Sequence, residues 1–199
     1  MSRLDGQWFF RGFRKQLREC LGAKKADAIW TNAAAEYNRL LTENPQLKRH
    51  KGAMALPAVV LYRALDAQGE DAGGLLNAYG DDMGVRFARI AHRLTSLPGV
   101  ARLLWKHIDR IMDSMSGEKH GYKRRIVSEP PEMYGVDILS CPYHELAKEM
   151  NCEQAVLCIC HTDKAYMKGF HHIRYERTTA VSEGAEYCDY RLRFDENKA

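Results

Sequence analysis

The stretch IRYERTTAVSEGAEYCDYRLRF, residues 173–194, decides the fold. It reads as a β-hairpin, because two runs rich in β-branched and aromatic residues flank a Ser-Glu-Gly turn at residues 182–184. The predicted strands cover residues 173–181 and 186–194. In the predicted register, Glu176 lies opposite Arg191 on one face of the hairpin. The facing pairs on the other face are Ile173 with Phe194, Tyr175 with Leu192, Arg177 with Tyr190, and Thr179 with Cys188.

One face of this hairpin is apolar except for Arg177 and Thr179. A guanidinium that points toward a core needs an anion, because burying an unpaired charge is costly. The partner of Arg177 is therefore either a structural carboxylate or the carboxylate of a ligand. The hairpin thus supplies the first two candidate substrate-binding residues.

The segment upstream of the hairpin completes a ββααββ unit. Residues 123–128 and 134–139 alternate in the manner of two short strands, joined around a Pro-Pro pair. One helix is predicted from Cys141-Pro142 through Met150, and a second runs from Glu153 to about Lys168. This order predicts an α+β fold, in which two late helices back a four-stranded antiparallel sheet.

Residues 1–118 show helical periodicity throughout. Apolar residues at helical spacing, Trp8 among them, predict a first helix from Leu4 to Leu21. A third helix is expected to open at Pro57, since proline suits the first helical position. The fourth helix carries a stripe that ends in Ile90 and Leu94, and a fifth continues to Gly117.

We therefore expect one domain over residues 1–199. Its helical part covers residues 1–118, and its α+β part covers residues 119–195. The N-terminal helices are expected to pack on the ββααββ unit.

Composition excludes several classes of protein. The chain has 199 residues, 45% of them hydrophobic and 28% charged, which is typical of a globular domain and not of a disordered or fibrous one. It contains no apolar run of the roughly 18 residues that a membrane span requires. The N-terminus also lacks the apolar core of a secretory signal. We expect a cytoplasmic protein.

The net charge of +4 is unevenly distributed. Residues 1–125 have a balance of +9, and residues 126–199 have a balance of −5. A basic part of this kind could bind nucleic acid or an anionic membrane surface. We instead expect the two parts to face each other, within the chain or between subunits, because the basic residues are spread over several helices and no nucleic-acid motif is present.

The cysteines carry the chemistry that the sequence suggests. Five of the six lie between Cys141 and Cys188. Cys141 falls at a helix N-cap, where unpaired backbone N–H groups lower a thiol pKa and favour a nucleophile. His144 lies one turn further on and could act as a base. Cys160 and Asp163 share a face of the next helix, from which His161 is expected to point away.

Three interpretations of this cysteine group stay open. The thiols could pack as small hydrophobic side chains, or they could line a catalytic pocket. The third interpretation is a divalent metal, with Zn²⁺ held by Cys141, Cys160, Cys188 and His144. No CxxC or HxxxH pair supports the metal site, so the cofactor stays unknown.

These residues also resemble a known family. The pattern comprises a Cys near a helix start (Cys141), a Cys ahead of an Asp (Cys160, Asp163), Arg177-Thr178, Gly184 and finally Cys188-Asp189-Tyr190-Arg191. Over residues 120–194 it is similar to the L-2-amino-thiazoline-4-carboxylic acid hydrolase family. Tyr190 replaces the family's Phe, which is a mild departure.

The resemblance implies hydrolytic ring opening of a small cyclic amidine or thiazoline carboxylate. Arg177 would then hold the substrate carboxylate, and Thr179, Cys160 and Cys188 would contribute to substrate binding. Cys141 would attack the amidine-like carbon or place a water molecule. Asp163 or His144 would carry protons.

The alternative is a non-catalytic module that binds a small molecule or metal, similar in element order to vinyl-reductase-like and TRAPP-like domains. The partner expected in the enzyme interpretation is a small anionic substrate. We expect no nucleic acid and no membrane span, and homo-oligomer formation stays open.

Overall fold

The structure is a computed structural model that describes residues 3–48 and 50–198. The described residues form eight α-helices and four β-strands, besides short 3-10 turns. The helices are α1 (Phe13–Leu21), α2 (Ala23–Glu43), α3 (His50–Asp66), α4 (Ala72–Thr95), α5 (Val100–Lys106), α6 (Ile108–Ser116), α7 (Pro142–Glu149) and α8 (Leu157–Met167). The strands are β1 (Lys123–Ser128), β2 (Tyr134–Ser140), β3 (Ile173–Glu176) and β4 (Cys188–Phe194). None of the described helices combines the length and the apolar character that crossing a bilayer requires.

The four strands form one antiparallel sheet in the order β1-β2-β4-β3. This confirms the predicted α+β class and its four-stranded antiparallel sheet. Residues 173–176 pair with 191–194 in the predicted register, with Tyr175 opposite Leu192 and Glu176 opposite Arg191. The predicted pairs of Arg177 with Tyr190 and of Thr179 with Cys188 do not form, because the chain leaves the sheet after Glu176. Strand β3 ends at Glu176, five residues earlier than predicted.

Three helix predictions fail. The first helix begins at Phe13 and not at Leu4, because residues 7–12 form tight turns. Pro57 lies inside α3 and does not open it. A proline inside a helix removes one backbone hydrogen bond, which costs free energy. The neighbouring Leu56 and Leu61 are fully buried, and the free energy gained by burying them offsets that cost. The predicted fifth helix is broken at His107 into α5 and α6, and the break lets Trp105 and Ile108 both face the core.

Several residues predicted to be buried are exposed. Trp8 is 53% exposed because residues 7–12 form tight turns and the fully buried Phe9 and Phe10 take its place. On α4, Ile90 and Leu94 are 55% and 56% exposed, so the apolar stripe leaves the core near the end of this helix.

The chain divides into two compact units, each of two segments. The first comprises Met1–Gly80 and Tyr143–Ile159, and the second comprises Asp81–Pro142 and Cys160–Ala199. The single domain predicted from the sequence stays a prediction. The first unit contains an aromatic cluster of Phe9, Phe10, Phe13 and Tyr79.

The second unit holds the sheet and its core. Trp105 and Met112 lie in one buried cluster with Val136 and Leu192 of the sheet. Helices α4 and α8 approach closely in this unit, because a Cβ atom at Gly84 would overlap the Thr162 carbonyl and the Ala165 side chain. This close approach fixes the part of α8 that carries the Cys160–Asp163 motif against α4.

Candidate functional site

Arg177 lies directly after β3, and its side chain is only 5% exposed. Its Nη1 faces the Asp163 Oδ2 at 3.4 Å, and its Nη2 faces the Cys160 carbonyl oxygen at the same distance. The guanidinium also lies 5.7 Å from the centre of the Tyr190 ring. A guanidinium has five N–H donors, and those beyond these two contacts have no partner among the described residues. Arg177 is thus a buried cation with spare hydrogen-bonding capacity.

Asp189 holds the backbone that follows Arg177. Its carboxylate accepts the backbone N–H groups of Thr178 and Thr179 at 2.7 and 2.6 Å, and it also accepts both of their hydroxyl groups. Burial opposes ionisation, but these bonds lower the pKa of Asp189 to about 2. Because these N–H groups bind a side chain, they cannot join the sheet, which explains why β3 ends early. The Arg-Thr and Cys-Asp parts of the sequence pattern therefore meet in one structural contact.

Asp163 is the anion that faces Arg177. Its side chain is 33% exposed. Burial raises the pKa of Asp163 to about 6, although the charge of Arg177 opposes the rise. A carboxyl group that titrates near neutral pH can both give and take a proton.

Cys160 and Cys188 lie around the same arginine. The Cys160 Sγ is 3.1 Å from the Ser182 Oγ, and the Cys188 Sγ accepts the backbone N–H of Val181 at 3.2 Å. Burial raises the pKa of Cys160 to about 12 and also raises the pKa of Cys188. Both groups are therefore thiols at neutral pH and are poor nucleophiles.

A cavity of about 180 Å³ opens beside these residues. Its wall is formed by Asp81, Cys160, His161, Lys164, Ala165, Lys168, Arg177 and Glu183. The His161 Nδ1 lies 3.0 Å from the Asp81 Oδ1, so the carboxylate orients the imidazole at the cavity wall.

The expectation that His161 points away from Cys160 is wrong, because both residues line this cavity. Sequence reasoning missed this pair because Asp81 is 80 residues away in the chain. The sequence feature that could have indicated a role for His161 is its position directly after Cys160, a candidate site residue.

Five of the predicted site residues do not line this cavity. Asp163 and Cys188 lie beside Arg177 without forming the cavity wall. Cys141 packs against the sheet core and is close enough to Cys160 to affect its pKa, but it does not line the cavity. Thr179 donates its hydroxyl to the Tyr187 carbonyl at 2.9 Å. His144 belongs to the first unit, where its buried Nδ1 has no hydrogen-bond partner among the described residues.

The cysteines do not form the metal site that the sequence left open. Within residues 3–48 and 50–198, no group of three or more His, Cys, Asp or Glu side chains is arranged to hold a metal ion. The donor set of the described residues therefore does not fit a metal ion.

Comparison with family models identifies this pattern. The model described as L-2-amino-thiazoline-4-carboxylic acid hydrolase matches residues 46–192, most of the chain. The chain belongs to this family. The match begins well before residue 120, where the resemblance was placed from the sequence, so α3 to α6 are part of the hydrolase family's common region.

The other comparisons give no further support for membership in the hydrolase family. No curated protein matches the chain significantly. Among solved structures, a trafficking protein particle complex subunit 3 from Naegleria fowleri, covalently bound to palmitic acid, is 15% identical, with 73% of this chain and 96% of that chain covered and a TM-score of 0.37. An H-NOX protein from S. oneidensis in the Fe(II)NO state is 12% identical, with 98% and 99% covered and a TM-score of 0.40. At TM-scores below 0.5, these likenesses carry no argument about fold or function.

Proposed function

We propose that this protein hydrolyses a small cyclic amidine or thiazoline carboxylate, opening its ring. The observation that carries the proposal is Arg177, a buried guanidinium with spare donors on the wall of a cavity, in a chain of the hydrolase family. Guanidinium groups bind carboxylates through two parallel hydrogen bonds. The cavity suits a ligand smaller than drug-sized molecules, which need roughly 300 Å³ or more.

The proposed reaction adds one water molecule across the ring. The water oxygen attacks the amidine carbon, one water proton passes to the ring nitrogen, and the carbon–sulfur bond breaks. The second water proton ends on the released sulfur, and the carbon becomes the carbonyl carbon of a carbamoyl group. For 2-amino-thiazoline-4-carboxylate the product is N-carbamoyl-cysteine.

We assign the proton transfers to groups around the cavity. His161, which Asp81 orients at the cavity wall, takes a proton from the attacking water through its imidazole nitrogen. Asp163 delivers a proton to the leaving group, which its pKa of about 6 allows. Cys141 helps to place the water from behind the wall, and Cys160 shapes the pocket as a neutral thiol. Cys188 supports the wall from the sheet core. His144 and Thr179 have no role in this assignment.

A turnover screen tests the proposal. Purified protein is incubated with thiazoline carboxylates, with and without divalent metals, and the released thiol is measured. Replacing Arg177 with Lys should raise KM about 10- to 100-fold, because Lys keeps the charge but loses the bidentate geometry. The matched control is Arg174→Lys on β3, an exposed residue that pairs with Asp195 outside the cavity and should leave KM unchanged.

A second measurement keeps the test independent of folding. The wild-type protein should turn over the carboxylate far better than the matching carboxamide, which cannot accept a charge-assisted pair from Arg177. Equal rates on both substrates, or equal KM values for the two variants, would remove Arg177 from substrate binding.

A ligand-binding role without turnover is the second candidate. Its support is the same buried Arg177 beside the cavity, which can hold an anion whether or not a reaction follows. It predicts that a thiazoline carboxylate protects the protein against thermal unfolding while no product forms. We place either role in the cytoplasm, since all six cysteines are free.

A further inference from the structure

A second feature lies on α1, outside the residues that match the family model. Four cationic side chains, those of Arg11, Arg14, Lys15 and Arg18, surround a surface groove of about 320 Å³. Their spacing of three, one and three residues places them on one side of the helix. Three of these cations have a carboxylate neighbour: Arg14 and Arg18 pair with Asp27, and the Lys15 Nζ lies 3.7 Å from the Glu19 Oε1.

This cationic face is fixed in position. The opposite face of α1 buries Phe13 and Leu17 completely, so the helix cannot rotate. Asp27 on α2 orients two of the cations: the Arg14 Nη2 lies 2.8 Å from the Asp27 Oδ1, and the Arg18 Nη2 lies 2.6 Å from the Asp27 Oδ2. Arg11 and Lys15 are exposed beside them.

An exposed indole precedes this cationic face. Trp8 is 53% exposed, and it lies three residues before Arg11 in the chain. The backbone between them makes tight turns, with the Phe10 N–H on the Gln7 carbonyl and the Phe13 N–H on the Phe10 carbonyl.

The segment is basic as a whole. Between Arg3 and Asp27 the chain has seven Lys and Arg residues and three Asp and Glu residues, a balance of +4 that equals the net charge of the entire protein. A fixed cationic face beside an exposed tryptophan is the combination that peripheral membrane proteins present to anionic headgroups.

We propose that Trp8, Arg11, Lys15 and their neighbours on α1 form a peripheral binding site for an anionic lipid surface. The cations lie against the headgroups, and the Trp8 indole enters the interface, where aromatic rings with a polar N–H are favoured. Because the apolar face of α1 is already buried, the attachment is electrostatic and reversible.

Flotation with vesicles tests this site. The full chain should float with vesicles of phosphatidylcholine that contain phosphatidylserine, and it should stay behind with phosphatidylcholine alone. Raising the salt to 1 M should release it, because the Debye length falls to about 3 Å. Trp8 fluorescence should shift to the blue on binding, since Trp30 and Trp105 are buried in the free protein.

Charge reversal supplies the matched comparison. Arg11→Glu with Lys15→Glu should weaken partitioning at least about thirtyfold, since each cation contributes roughly fivefold. Lys106→Glu with Arg110→Glu makes the same charge change at exposed residues of the second unit and should bind nearly as the wild type does. Trp8→Phe should lose the fluorescence shift and keep salt-sensitive binding.

Three results would overturn the proposal: equal binding to both vesicle types, equal loss in the two charge-reversal variants, or binding to single-stranded RNA in place of vesicles. None of these readouts uses turnover, so the outcome is independent of the proposed hydrolysis.

Discussion

Asp163 is the carboxylate that already faces Arg177, with 3.4 Å between the Asp163 Oδ2 and the Arg177 Nη1. If a ligand carboxylate binds Arg177, the Asp163 carboxylate acquires a second anion as a neighbour and shares its cation. Its pKa of about 6 should then rise further. Binding above pH 6 is therefore expected to take up about one proton, which prepares Asp163 as the general acid.

This coupling predicts how affinity depends on pH. Below pH 6, Asp163 is already protonated and the affinity for an unreactive carboxylate analogue should be flat. Above pH 6, the proton must come from solvent, so the affinity should fall by up to about tenfold per pH unit until the pKa in the complex is reached. Calorimetry in two buffers of different ionisation enthalpy measures the proton uptake directly.

Asp163→Asn is the control for this coupling. Asparagine keeps the shape and removes the titration, so the affinity should become independent of pH between about 6 and 8, and proton uptake should vanish. Proton uptake that persists in this variant would place the titrating group elsewhere, for example at His161.

At the scale of single residues, strand alternation correctly predicted that Cys188 on β4 is buried. Arg177 is also buried as predicted, but it lies after the end of β3, so its burial does not follow from strand alternation. The pair of His161 with Asp81 could not be predicted, because helical periodicity gives the face of each helix and does not give the neighbour across it. Roles for Cys141, His144 and Asp163 stay predictions.

At the scale of elements, Gly84 governs how closely α4 and α8 can pack. A Cβ atom there would overlap the Thr162 carbonyl and the Ala165 Cβ. Gly84→Ala should lower the free energy of unfolding by about 1–3 kcal/mol through overpacking. It should also lower kcat/KM, since Thr162 follows His161 and Asp81 lies one turn from Gly84.

Gly73→Ala in the same helix is the matched control. A Cβ atom at Gly73 would meet only the Asp71 carboxylate, at 3.9 Å. The same substitution should therefore stabilise the protein by about 0.5–1 kcal/mol, because alanine favours helices and restricts the unfolded chain. Urea titrations of both variants measure the sign of each change in the free energy of unfolding. If both substitutions stabilised the protein, α4 and α8 would be able to move apart with little loss of free energy.

Elements were predicted best where short runs of alternating residues are bounded by turn residues. Both early strands were placed within one residue of their observed bounds. Residues 173–176 pair with 191–194 as predicted, although the long segment 177–187 connects the two strands and no short turn does. Helix bounds were predicted less well. Whether a helix continues through Pro57 or breaks at His107 depends on which surrounding residues become buried, and not on local helix propensity.

At the scale of the whole molecule, the chain crosses three times between its two units, after Gly80, Pro142 and Ile159. Neither unit is therefore a continuous stretch that could be expressed alone. Two of these crossings fall inside α4 and α8. Hydrogen bonding propagates cooperatively along a helix. If part of α4 or α8 unfolds in one unit, we therefore expect the unfolding to continue into the part of the same helix that belongs to the other unit.

We therefore expect the chain to unfold in urea in a single transition, as the predicted single domain requires. Trp30 lies in the first unit and Trp105 in the second, and both are buried. In Trp8→Phe with Trp105→Phe, fluorescence reports the first unit, and in Trp8→Phe with Trp30→Phe it reports the second. Within each variant, the fluorescence midpoint and slope should match those of helix loss by circular dichroism. Fluorescence that changes ahead of the circular dichroism in one variant only would mean that the units unfold separately, and the chain would then comprise two domains.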